Sequence, residues 1–311
     1  MPQALKPPVL RPGDQIAVLS LASPVEEGRL QKGCRELATL GYAPKVDRGR
    51  VLARDGFFAG SQGDRVSALR HGLDEEETRA IFCARGGYGS NYLLDCLTQT
   101  PASPKILLGS SDITSLQIFL WQTVQWVTFY GPMVATNFDH GAGAAHGYDR
   151  ASLLRALAET RQGWSLDLQC ESLVSGQAEG LLLGGCLTLV ESTLGTPWEL
   201  DTVGAILVLE DRAMKPYQVD RALMHLKQAG KLRRLAGIIL GDFPECEAPA
   251  GSDTVRDVAR RILEPLAVPI AWGAPIGHTA RAMLTLPLGV QASLATSENG
   301  TLKILEPACA P

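Results

Sequence analysis

A serine, a glutamate and a histidine, far apart along a 311-residue chain, each stand just past an apolar run that reads as a β-strand. Ser111 lies in Leu107-Leu108-Gly109-Ser110-Ser111-Asp112-Ile113-Thr114, where the run 106–108 breaks at Gly109 and a helical pattern begins. A hydroxyl there meets free backbone N–H groups and the positive end of a helix dipole. An acyl-transferring nucleophile needs such a place, because the tetrahedral oxyanion formed beside it must find donors already aimed. The same place also suits a plain helix cap, a task for which Ser and Asp are preferred. The local sequence favours the cap, so the wider chain has to decide.

Glu210 ends the run Val208-Leu209-Glu210-Asp211-Arg212, and a carboxylate at a strand end can orient an imidazole and stabilise its protonated form. It could equally be an exposed strand-end charge. Downstream, Asp220-Arg221 reads as a structural ion pair. His278 follows a glycine in the loop Pro275-Ile276-Gly277-His278-Thr279, again past a strand, where a general base is well placed. Taken singly it would be an ordinary surface histidine. Together the three make up a hydrolytic triad in the order Ser, Glu, His. The esterase elbow G-x-S-x-G is absent, since Ile113 stands where the second glycine belongs. A glycine loop, Arg85-Gly86-Gly87-Tyr88-Gly89, can bring bare backbone close to a ligand, or simply make a tight turn. Its spacing matches neither the dinucleotide fingerprint nor the phosphate loop.

These residues need a scaffold that gathers strand ends. In the first half, strand signals at 15–21, 43–46, 80–83 and 105–108 alternate with helix signals at 26–40, 64–73 (capped by Ser61), 90–97 and from 111. That alternation predicts a mostly parallel sheet flanked by helices, with the site in loops after strand C-termini. The second half predicts strands at 205–209, 237–240 and 268–272, helices at 216–229 and 254–263, and short strands with turns over 282–305. The expected division is an N-terminal α/β domain over 1–160 carrying Ser111, a polar linker over 161–177, and a C-terminal mixed α/β domain over 178–311 carrying Glu210 and His278.

Composition narrows the function classes. With 45% hydrophobic and 20% charged residues and a net charge of −4, the chain lacks the basic runs a nucleic acid would require. Seven scattered cysteines, odd in number and without a C-x-x-C pair, read as reduced thiols in a cytoplasmic protein and hold no zinc spacing. No secretory signal is visible at the start. The uncharged stretch 113–138 contains Gln117, Gln122, Gln125 and a Gly131-Pro132 break, and reads as a buried helix and strand rather than a membrane span.

The motifs in order resemble the LD-carboxypeptidases (muramoyltetrapeptide carboxypeptidases), to which the microcin C immunity proteins are related. The likeness runs through Arg85-Gly86-Gly87-Tyr88-Gly89, Gly109-Ser110-Ser111-Asp112, Gly131-Pro132-Met133, Gly184-Gly185, Leu209-Glu210-Asp211, Pro216-Tyr217, Asp220-Arg221 and Gly277-His278, nearly the whole chain. The resemblance implies a serine peptidase with Ser111 as nucleophile, His278 as general base and Glu210 orienting it. It also implies an oxyanion hole of two backbone N–H groups, from Asp112 and from Gly87 or Gly86. The family's members are cytoplasmic, usually dimeric, use no metal or cofactor, and remove the terminal D-alanine from murein tetrapeptides during peptidoglycan recycling. Three positions depart from the family pattern: Ser110 where an aromatic residue is usual, Cys186 where asparagine often follows the glycine pair, and the basic run Arg212-Ala213-Met214-Lys215. They bear on substrate preference. The alternatives are a microcin-immunity-like hydrolase of a peptide–nucleotide or acyl-amino-acid conjugate, and a non-catalytic protein binding a small ligand in an inter-domain cleft.

Overall fold

The computed structural model describes residues 4–97, 103–161 and 163–311. The chain forms two compact units: Met1–Thr160 with Arg281–Pro287 and Ala308–Pro311, and Arg161–Ala280 with Leu288–Pro307.

The first unit is built on β1 (Gln15–Leu19), β2 (Ala43–Lys45), β3 (Thr78–Cys83), β4 (Ile106–Gly109), β5 (Thr128–Tyr130) and a strand returned from far along the chain, β12 (Leu286–Leu288). Their order is β12-β5-β4-β3-β1-β2, and β2, β1, β3, β4 and β5 run parallel. Helices α1 (Glu27–Thr39), α2 (Arg48–Val51), α3 (Gln62–Asp74), α4 (Thr114–Val124) and α5 (Arg150–Ala158) connect or follow them. Ile81, Phe82, Leu107 and Leu108 are all essentially inaccessible, the signature of parallel strands covered on both faces. Ser61 caps α3 by accepting the Asp64 N–H, as the sequence suggests. The segment expected as a helix over 90–97 is instead a 3₁₀ turn, Ser90–Cys96, entered through Gly89 at φ +125°. Its first residue is tied to Asp112 rather than to a following turn. The uncharged stretch splits into α4 and β5. Among the described residues no helix is long and apolar enough to cross a membrane.

The second unit holds β6 (Trp164–Asp167), β7 (Glu171–Val174), β8 (Gln177–Cys186), β9 (Ala205–Glu210), β10 (Gly237–Gly241), β11 (Ile270–Ala274), β13 (Gln291–Ala295) and β14 (Thr301–Ile304). The order is β6-β14-β13-β8-β9-β10-β11-β7. β8 to β11 form a parallel centre, and β13, β14, β6 and β7 pair antiparallel around it. Helices α6 (Leu187–Ser192), α7 (Pro216–Gln228) and α8 (Val255–Leu263) complete it. α8 buries Val255, Val258, Ala259, Ile262 and Leu263, one helical stripe, and is opened by a Thr254–Asp257 capping box.

Two expectations about the domains need correction. Outside residue 162, the stretch 161–177 is not a linker: β6 and β7 occupy it and close opposite ends of the second sheet. Its polar residues misled because β6 buries only alternate positions, Trp164 and Leu166, and β7 buries none fully. Nor does 178–311 form one continuous body, since 281–287 and 308–311 pack with the first unit. Asp220, expected to pair with Arg221, pairs instead with Arg261 on α8, while Arg221 lies over the Tyr217 ring.

Candidate active site

In the first unit, the strand order 2-1-3-4-5 puts a topological switch point between β1 and β3, where open α/β sheets bind ligands. The loops leaving those strands meet there: the Ser23 N–H donates to the Gly86 carbonyl at 3.2 Å, and the Tyr88 N–H donates to Ser23 Oγ at 3.1 Å. Ser111 leaves the neighbouring strand β4 with φ +59°, a left-handed conformation that costs a non-glycine residue free energy. That strain turns the chain sharply from strand into the turn Ser111–Ile113 and on to α4. Gly109 lacks a side chain because Ile113 packs over it; a Cβ would lie 3.0 Å from Ile113 Cγ2.

Gly86 abuts the candidate nucleophile. A Cβ on Gly86 would lie 2.8 Å from Ser111 Cβ, 3.1 Å from its Oγ and 3.4 Å from the Asp112 nitrogen. The Ser111 N–H donates to Tyr130 Oη at 3.2 Å, so the next amide, that of Asp112, is the better candidate for a ligand oxygen. Asp112 itself is buried and fixed at both ends: its Oδ2 accepts the Ser90 N–H at 2.7 Å, and its carbonyl accepts the Ser90 hydroxyl. Because the peptide is trans and the Gly86 carbonyl points at the Ser23 N–H, the Gly87 N–H points away from Ser23. Gly87 is exposed and has φ +107°, whereas Gly86 is buried.

In the second unit, Glu210 closes β9 and is completely buried. Its Oε2 accepts two bonds from one residue, the His278 backbone N–H at 2.8 Å and Nδ1 at 2.9 Å. A carboxylate can only accept, so Nδ1 carries the proton and, in the neutral ring, Nε2 carries the lone pair. Burial pushes the His278 pKa down, but the Glu210 charge and hydrogen bond, helped by Asp211, outweigh it and leave it raised. Asp211 is itself raised, by burial above all, and accepts from the Thr188 N–H and hydroxyl.

The structure thus groups Ser111, Asp112, Gly86 and Gly87 in one unit, and Glu210 with His278 in the other. The sequence reading missed Tyr130, Ser23 and Ser90, and also Asp242, whose Oδ2 accepts the Thr279 hydroxyl. Tyr130 and Asp242 stand at or just past strand ends, the signal that singled out Glu210. As for the departures, Ser110 is buried, Cys186 is buried opposite Glu210 in the β8–β9 register, and Arg212 pairs with Glu245.

Known proteins resemble this chain along most of its length. Residues 16–131 match the model of the LD-carboxypeptidase N-terminal domain and residues 179–294 that of the C-terminal domain. A probable murein peptide carboxypeptidase of Bacillus subtilis is 36% identical over 301 residues, spanning 94% of this chain and 92% of that protein. The chain belongs to the LD-carboxypeptidase family. Within that family of peptidases, the murein tetrapeptide carboxypeptidase of Pseudomonas aeruginosa is 29% identical, covering 86% of this chain and 89% of its own length. The microcin C7 self-immunity protein MccF, solved in complex with aspartyl sulfamoyl adenosine, shares the fold with a TM-score of 0.90 over 98% of this chain and 100% of its own, at 23% identity.

Proposed function

We propose that this LD-carboxypeptidase is a serine enzyme that hydrolyses an L,D-peptide bond and releases the terminal D-alanine of a murein tetrapeptide. The observation that carries the reading is the buried Glu210 oxygen holding Nδ1 and the amide of His278, which leaves Nε2 as the basic nitrogen. In this mechanism Ser111 Oγ attacks the scissile carbonyl carbon while His278 Nε2 takes its proton. The resulting oxyanion is met by the amides of Asp112 and Gly87. His278 then gives the proton to the departing D-alanine amine, leaving an acyl ester on Ser111. Water, deprotonated by the same nitrogen, cleaves that ester and restores the enzyme. Glu210 keeps its hydrogen bond to Nδ1 throughout and stabilises the imidazolium. Every proton in this scheme moves between side chains, substrate and water. The proposal extends to a cytoplasmic homodimer acting in peptidoglycan recycling, the setting that the family resemblance implies.

The test is incubation with a purified murein tetrapeptide and chromatographic detection of free D-alanine. Cleavage of an aminoacyl sulfamoyl nucleoside with the tetrapeptide left intact would move the chain to the immunity-type hydrolases. Failure of a serine-reactive phosphonate to label the Ser111 peptide would favour a non-catalytic binding protein.

A further inference from the structure

The loop carrying His278 is held by two carboxylates, and the mechanism above uses one of them. β9, β10 and β11 lie side by side and parallel, so their C-terminal ends form a row. Glu210 ends β9 and Asp242 directly follows β10. Since His278 reaches Glu210 and Thr279 reaches Asp242, the segment after β11 turns back along that row. Two bare α-carbons make the return possible. A Cβ on Gly241 would lie 2.7 Å from both Ile276 Cγ1 and Glu210 Cβ. Gly273, at φ +79°, is the bulge residue that shifts the register from Leu240↔Trp272 to Gly241↔Ala274.

Both bonds from His278 converge on a single atom, Glu210 Oε2. Contacts to one atom set a distance better than they set a direction. One residue on, the buried Thr279 donates its hydroxyl to Asp242 Oδ2 at 2.5 Å, a second anchor just past the adjoining strand. We infer that Thr279 and Asp242 are a positioning pair: they fix the residue after His278 so that the imidazole stays aligned with Glu210. Charge-assisted hydrogen bonds of this kind are short and directional, suited to setting an angle rather than merely adding stability. The charged groups around the ring are Glu210 at the end of β9, Asp211 directly after it and Arg212 in the following turn. Loss of alignment weakens chiefly the Glu210 contact, because that bond depends on the ring's direction.

The inference deepens the proposed function and rests on His278 as the base. It is tested by NMR titration of His278 in the intact protein, together with kcat and KM on the tetrapeptide, for wild type, Thr279→Val and Thr279→Ser. Thr279→Val keeps the shape and loses the donor. It should lower the His278 pKa by about half a unit and cut kcat about tenfold with KM nearly unchanged. Thr279→Ser should restore both. An unchanged titration in Thr279→Val, or a rate loss that only follows a lower melting temperature, overturns the inference. Should Thr279→Val not fold, Thr279→Ala, which also lacks the donor and leaves every charge in place, carries the same test: a wild-type titration there overturns it equally. The two readings fail separately. Wild-type turnover in His278→Ala would sink the catalytic role, while the titration alone decides whether the pair positions the ring.

Discussion

Gly277 and the Glu210 carboxylate occupy what would otherwise be the same space. A Cβ on Gly277 would sit 2.1 Å from Glu210 Cδ and 2.4 and 2.5 Å from its oxygens, at a backbone φ of +61°. The glycine is required both by its conformation and by the close approach. Its bareness lets a fully buried carboxylate reach the amide and the ring of the next residue together.

Gly277→Ala should therefore separate Glu210 from His278. The expected result is a fall in turnover of about 10²-fold or more, the scale of an ångström-sized misplacement. Stability should drop by roughly 2–4 kcal/mol from the left-handed alanine plus the overpacking. Denaturant melts and steady-state kinetics on the one variant check both, and wild-type kinetics would show that Glu210 does not orient the histidine.

Ser111 bears two separable properties, a hydroxyl and a strained backbone. Ser111→Ala should lower kcat by about 10⁴-fold or more without loss of fold. Ser111→Gly should be as inactive yet about 1 kcal/mol more stable than the alanine variant, because glycine accepts φ +59° freely. Comparing the two melting curves tests the strain, and a tenth of wild-type activity in either variant would exclude Ser111 as nucleophile.

Much of this was legible in the sequence, for identifiable reasons. Buried parallel strands such as β3, β4 and β9 are continuous apolar runs, so their C-terminal ends, and with them Ser111 and Glu210, could be placed within a residue or two. Helices with a cap or a strong apolar stripe, such as α3 and α8, were equally plain. The edge strands β6 and β7 were not, because β6 buries only alternate residues and β7 buries none of its four fully, so both look like linker. The contacts of Tyr130 with the Ser111 amide and of Asp242 with Thr279 join residues 19 and 37 positions apart. No local pattern encodes such pairings; only the strand order makes them neighbours.

The pH dependence follows from the sign of the His278 shift. Burial lowers its pKa, the Glu210 charge and hydrogen bond raise it, and the net lies above the ordinary value of 6.5. Catalysis needs the neutral ring, so kcat/KM should fall as pH drops through a value above 6.5. The stabilisation from the pair runs the other way. It is complete below the unfolded value and is lost as pH rises through the raised folded one. Over that window activity should climb while this contribution to stability declines. Glu210→Gln should move the acidic limb to lower pH and depress the plateau by about 10²- to 10⁴-fold. Rates and melting curves across the same pH series check the pair of trends, and a rate indifferent to pH between about 5 and 8 would count against a histidine base.

The glycine loop yields a test that tells its two residues apart. At Gly86 a Cβ would press on Ser111 itself, 2.8 Å from its Cβ, so Gly86→Ala displaces the nucleophile directly. At Gly87 it would lie 2.3 Å from Ser23 Oγ and 2.5 Å from Ser23 Cβ, with Ser23 Cα the next nearest at 3.6 Å. Gly87→Ala should therefore swing the Gly87 peptide, and lower kcat by about 10²-fold if its N–H meets the oxyanion. Removing the obstructing side chain in Ser23→Gly/Gly87→Ala leaves ordinary contacts, and part of the loss should return. Recovery should stay incomplete, since φ +107° still strains an alanine and the Tyr88 amide loses its acceptor. No second-site change at Ser23 should rescue Gly86→Ala, whose obstruction is Ser111. Steady-state kinetics on the four variants decide the matter. If Gly87→Ala turns over at the wild-type rate while Gly86→Ala is inactive, the oxyanion is held by other donors, and the loop serves only to leave room for Ser111.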